Sequence, residues 1–213
     1  MNAQQGYLLV VEDIPDILNL LEATLTFKGY RVVTARDGQE ALEIIQKEHP
    51  AMVITDILMP KMDGFSLVHR LRLDPETRRI PVVFLSATYV APEDKTFALN
   101  IGATRFIEKP VNLDEFLPAI EELLKQGVSA TLEPLSEPDF YEGYRIRLEI
   151  KLDQKTTQIA RAENLMNTLP EKDKPSFKSS LQRAINEREE IQLLLNQIYE
   201  RLKNLPDLDS SRA

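Results

Sequence analysis

Four short segments of the chain carry an apolar run into a side chain able to do chemistry. YLLVV (Tyr7–Val11) leads into Glu12 and Asp13, and MVIT (Met52–Thr55) into Asp56. VVFLSA (Val82–Ala87) contains Ser86, and RFIE (Arg105–Glu108) leads into Lys109 and Pro110. If these runs are strands of one sheet, their carboxyl ends bring three carboxylates, a hydroxyl and an ammonium to the rim where α/β sheets bind ligands. Three carboxylates at one place repel each other and call for a cation. Mg²⁺ fits, because it takes oxygen ligands, keeps waters and leaves room for a phosphoryl oxygen. Lys109 adds a fixed positive charge and Ser86 a hydroxyl for such an oxygen. A carboxylate nucleophile, a metal clamp and a cationic stabiliser are the parts that phosphoryl transfer needs. Singly, each residue has a plainer reading: Asp13 as cap of a helix opened by Pro15, Lys109 as a surface lysine, Ser86 as a core hydroxyl. Asp56 resists one, because an acid that closes a buried apolar strand needs a partner.

The elements that would position these residues are legible in the spacing. The apolar runs, with YRVVTA (Tyr30–Ala35) as a fifth, are short, β-branched and mostly continuous, as strands buried on both faces are. Helical periodicity fills the intervals. It runs from Pro15 to Lys28 through Ile17, Leu18, Leu21 and Leu25, with Gly29 as its stop, and from Gly38 through Ala41, Leu42, Ile44 and Ile45. Further helices are expected over about 64–72, 93–101 and 113–125. Five strands alternating with five helices predict an α/β fold, a doubly wound five-stranded parallel sheet.

VVED with Pro15 following, ITDILMPKMDG, VVFLSA and RFIEKP are, as a set and in this order, similar to the motifs of the receiver domain of bacterial two-component response regulators. The resemblance covers residues 1–126 and implies the flavodoxin-like receiver fold. It implies that Glu12, Asp13, Asp56 and the backbone carbonyl of Leu58 hold Mg²⁺. Asp56 would accept a phosphoryl group from a sensor histidine kinase or a phosphotransfer protein, with Lys109 and Ser86 stabilising it. Ser86 and Phe106 match the residues that switch rotamer on phosphorylation, Leu58 and Thr88 those that tune phosphoryl lifetime, and the peptide before Pro110 is expected to be cis. Phe106 lacks the hydroxyl of the tyrosine often found there. Ala51 and Thr55 also depart from the usual pattern, away from the chemistry.

Residues 127–139, with Pro134 and Pro138 and no sustained period, read as a linker. Over 140–205, Phe177, Ala184, Ile191, Ile198 and Leu205 recur every seven residues, with Leu181, Arg188, Leu195 and Leu202 between them. This heptad and the looser stripe of Leu148, Leu152, Ile159, Ala162, Met166 and Leu169 predict an antiparallel helical hairpin with a coiled-coil seam. Lys155 and Arg188 interrupt the stripes at nearly the same depth, so either acids such as Asp153, Glu187 or Glu190 pair with them, a second subunit supplies the acids, or both side chains snorkel to solvent. Residues 206–213 read as a flexible tail.

Three outputs compete for the hairpin. A DNA-binding transcriptional regulator needs short helices with a tight turn and a basic face. The chain carries a formal net charge of −8, and its basic and acidic side chains number 13 and 22 over residues 1–139 but 12 and 10 over 140–205. A phosphorelay intermediate needs a histidine on the hairpin, and both histidines, His49 and His69, lie before it, where they read as surface residues. An interaction module that forms a homodimer through residues 140–205 is the reading that remains, beside a hairpin folded back on its own receiver. There is no cysteine, which fits a reducing cytoplasm. MNAQQGYLLVVED reads as a strand and not a signal peptide, and no stretch is long and apolar enough for a membrane span. No Gly-rich phosphate loop or serine elbow suggests an enzyme.

Overall fold

The computed structural model describes residues 6–87, 89–126, 133–168, 170 and 174–205. The chain divides into two compact units, residues 1–135 and 136–213. The first contains β1 (Leu8–Val11), α1 (Pro15–Phe27), β2 (Val32–Ala35), α2 (Gly38–Ile45), β3 (Met52–Asp56), α3 (Gly64–Leu73), β4 (Val82–Ser86), α4 (Pro92–Asn100), β5 (Arg105–Glu108) and α5 (Leu113–Gln126). All strands are parallel in the order β2-β1-β3-β4-β5, the doubly wound fold expected.

Side chains alternate across the sheet, which divides the core into two layers. Leu8, Val10, Ile54, Val83 and Leu85 pack with Leu18, Leu21 and Leu25 of α1 and with Phe116, Ile120 and Leu123 of α5. In the other layer Phe65 of α3 meets Phe84, Tyr89 and Phe97 edge to face at centroid distances of 5.3, 5.2 and 5.2 Å. Each such side chain contributes about 1.5–3 kcal/mol on burial. One expectation needs correction. Only β1, β3 and β4 are buried along their length apart from the half-buried Asp56, whereas β2 and β5 are mostly half-exposed. These two are the sheet's edges, where one flank has no neighbouring strand.

Helix ends follow local chemistry. Pro15 opens α1, Asp37 caps α2 by accepting from the Glu40 N–H at 2.9 Å, and Asp63 caps α3 by accepting from the Ser66 N–H at 2.9 Å. Gly29, with φ +90°, follows the end of α1. His69, read as a surface residue, is buried on α3, with Nε2 3.1 Å from the Leu135 carbonyl, while His49 is exposed. Arg72 is also buried and donates from Nε and Nη2 to the Gly102 carbonyl at 2.9 and 2.7 Å; burial lowers its pKa to about 10.

The second unit is the antiparallel pair α6 (Glu137–Met166) and α7 (Lys174–Lys203), of 30 residues each. Ser136 caps α6. The heptad seam is present: Leu181, Ile191, Leu195 and Ile198 are buried on α7, and Leu148 and Ile159 on α6. Lys155 donates to Glu187 Oε2 at 2.7 Å, one of the acids anticipated for it. Lys151, a seam position that periodicity did not single out, is only 7% exposed. The tail, residues 127–132 of the linker and Leu169 lie outside the described residues.

Candidate functional site

The carboxyl ends of β1, β3, β4 and β5 carry the residues singled out above. Glu12 follows β1 directly and is 1% exposed, while Asp13 and Asp56 are partly open. One carboxylate oxygen from each of Glu12, Asp13 and Asp56 lies within 4.8 Å of the others. Lys109, just past β5, donates from Nζ to Asp56 Oδ2 at 2.5 Å and to Glu12 Oε2 at 2.7 Å. The Ile57 N–H donates to Asp56 Oδ1 at 2.6 Å, and the Ile14 N–H to Glu12 Oε1 at 3.3 Å. Ile14 is the N-cap of α1 and has no side-chain cap, so Asp13 is not that helix's cap.

Electrostatics set this cluster apart from an ordinary ion pair. Burial raises the Glu12 carboxyl above its usual range; the Asp56 charge adds to this and Lys109 opposes it. Burial and then Asp56 likewise raise Asp13. Burial works against the Lys109 charge, but Asp56 and Glu12 outweigh it and hold the ammonium above its ordinary value. One ammonium faces three carboxylates, so negative charge is left over. An all-oxygen donor set with surplus negative charge and two partly open members is what a hard divalent ion such as Mg²⁺ takes.

The remaining expected residues surround this centre. Ser86 ends β4 almost fully buried; its Oγ accepts from the Tyr89 N–H at 3.2 Å and its carbonyl from the Lys109 N–H at 2.9 Å. Leu58 is half-buried in the loop after β3, two residues beyond Asp56, and Phe106 is half-buried in β5, paired in register with Phe84. Thr88 lies outside the described residues. The Lys109–Pro110 peptide is cis, as the resemblance implied.

Sequence reasoning missed the support beneath this rim. A Cβ on Gly64 would stand 2.2 Å from the Asp56 carbonyl oxygen, and the Gly64 N–H donates to the Ile57 carbonyl at 2.8 Å. Only glycine permits so close an approach at the start of α3. Tyr89, fully buried against Phe65, was not singled out either. The polar Asp63 ahead of an apolar helix was the available sign for the first, whereas nothing local marks the second.

The family model described as "Response regulator receiver domain" matches residues 8–121, more than half of the chain. The "Probable transcriptional regulator ycf27" of Cyanophora paradoxa is 38% identical over 136 residues, covering 64% of this chain and 55% of that protein. The protein of the same name from Cyanidium caldarium is 31% identical over 174 residues, covering 80% of this chain and 68% of its own length. Among solved structures, the chemotaxis response regulator CheY4 of Vibrio cholerae superposes with a TM-score of 0.53 at 33% identity, covering 56% of this chain and 99% of that one. The chain spans about half the length of the first of these relatives.

Proposed function

The chain belongs to the response regulator receiver family of two-component signalling, and from that premise we propose that Asp56 accepts a phosphoryl group from a sensor histidine kinase or a phosphotransfer protein. The convergence of Lys109 Nζ on Asp56 Oδ2 and Glu12 Oε2, with Asp13 alongside, carries this reading. Glu12, Asp13, Asp56 and the Leu58 carbonyl hold Mg²⁺, which when bound neutralises charge on the transferring phosphoryl oxygens. An Asp56 carboxylate oxygen forms the new P–O bond as the P–N bond to the donor histidine breaks. Lys109 and the Ser86 hydroxyl then hold the phosphoryl oxygens. Ser86 and Phe106 change position with the phosphorylated state, and Leu58 and Thr88 set how fast water reaches the acyl phosphate.

Incubation with acetyl phosphate and Mg²⁺ should add one base-labile phosphoryl group, and Asp56→Asn should abolish it while leaving the fold intact. Equal labelling of the Asn variant would overturn the assignment.

For the output, we propose that the α6–α7 hairpin acts by protein contact, as a homodimer in the cytoplasm. Its support is the long, mainly apolar seam, together with Ile146, Ile150 and Leu193 left exposed outside it. The ycf27 relatives, named probable transcriptional regulators and one of them matched over 174 residues, favour a second reading, transcriptional control, which would require DNA binding. Two helices of 30 residues do not form the short-helix recognition unit that reading needs. Sequence-independent DNA retention by the full chain at low salt would favour the second reading.

A further inference from the structure

We propose that Asp37 and Lys61 form a latch that positions the loop between β3 and α3, and through it the Asp56–Leu58 segment, for binding a divalent cation; the inference rests on the reading of the rim as a Mg²⁺ site. The loop, Ile57–Asp63, is tied at its base by the Gly64 N–H donating to the Ile57 carbonyl at 2.8 Å. Its far side is tied to the start of α2, an element that supplies no residue to the acidic cluster. There the Gly38 N–H donates to the Met62 carbonyl at 2.9 Å, and Lys61 Nζ donates to Asp37 Oδ2 at 2.7 Å. The approach is close enough that a Cβ on Gly38 would stand 2.8 Å from the Met62 carbonyl oxygen.

Lys61 has φ +61°, a left-handed conformation that lysine seldom takes. Its place there follows from what its ammonium reaches. Lys61 is 71% exposed at the side chain, while Asp37 is 3% exposed. Asp37 spends its other oxygen on the Glu40 N–H at 2.9 Å, so one buried carboxylate ties the helix start to the loop. Burial pushes the Asp37 carboxyl up, but Lys61 and the backbone N–H groups outweigh it and hold Asp37 below its usual range, ionised for the latch. Met59 and Met62 of the loop are themselves buried, at 5% and 7% exposure. A loop tied at its base and far side, with two of its side chains buried, already has its carbonyls placed, so a cation that uses the Leu58 carbonyl spends little of its binding on ordering them.

Mg²⁺ titration calorimetry of the full chain tests this, with thermal unfolding in EDTA run alongside. Lys61→Gly removes the ammonium and relieves the backbone; Asp37→Ser keeps a helix cap and removes the charge. Each should weaken Mg²⁺ binding roughly tenfold, as loss of an outer-shell partner does. The double variant should be no worse than either single one, and Lys61→Arg should restore most of the affinity. Unchanged affinity in both single variants, additive losses, or failure of arginine to rescue would overturn the latch. If the parent chain itself binds no Mg²⁺, it is the site reading that fails.

Discussion

At the scale of single residues, the three carboxylates are held by opposed requirements. Glu12 and Asp13 both have raised carboxyl pKa values, from burial and then from Asp56. Between the ordinary values of 4.5 and 3.8 and these higher folded values, the folded chain keeps protons that the unfolded chain has released. Their contribution to stability therefore falls as pH rises through that window. In EDTA, Glu12→Gln and Asp13→Asn should each flatten the decline of the thermal midpoint above pH 4, and saturating Mg²⁺ should flatten it in the parent; slopes unchanged from that of the parent in EDTA would sink the argument. Gly64 acts by having no side chain. Gly64→Ala forces a methyl against the Asp56 carbonyl and should cost about 3 kcal/mol in urea unfolding. It should also weaken Mg²⁺ binding, because relief of that contact moves Asp56. A variant of parental stability would show that the backbone yields easily there.

At the scale of elements, periodicity placed nearly everything. The strand predicted over Tyr30–Ala35 begins at Val32, and the one over Val82–Ala87 ends at Ser86; such boundary differences belong to helix and strand ends generally. The heptad gave the α7 seam because a seam repeats. His69 was read as a surface residue, and Lys151 and Arg72 escaped notice, because their types argue for the surface and only tertiary neighbours bury them. The loop contacts at Gly38 and Gly64 escaped for a related reason, since both lie against backbone carbonyls, which leave no mark in the pattern of side-chain types. Within the hairpin, Lys155 and Glu187 form a part-buried pair with side chains 16% and 35% exposed. Replacing both with leucine should leave the hairpin as stable or more so, whereas Lys155→Leu alone should cost about 1 kcal/mol by leaving Glu187 unpaired. Thermal unfolding followed by far-ultraviolet circular dichroism separates the two; a double variant weaker than the single one would assign the pair a stabilising role.

At the scale of the whole molecule, the two units differ in character, one carrying the acidic rim and the other the long seam. If the hairpin joins two copies, light scattering should give twice the chain mass, and adding beryllium fluoride with Mg²⁺ reports whether the rim governs that state. A monomer under both conditions would remove the dimer from the proposed output. The strand order has a further bearing on how the chain comes together. β3 sits at the centre between β1 and β4, with β2 and β5 on the two edges. Glu12, Asp13 and Asp56 can thus meet once β3 has docked, whereas Lys109 lies 53 residues beyond Asp56 and 97 beyond Glu12. If the strands dock in chain order, the like charges assemble before their lysine arrives, and the last strand to join closes a site that has until then repelled itself. Ionic surroundings should therefore govern the speed of assembly: stopped-flow refolding from urea should accelerate in Mg²⁺ relative to a matched ionic strength of Na⁺. Equal rates in the two salts would mean that the carboxylates converge only after β5 is in place.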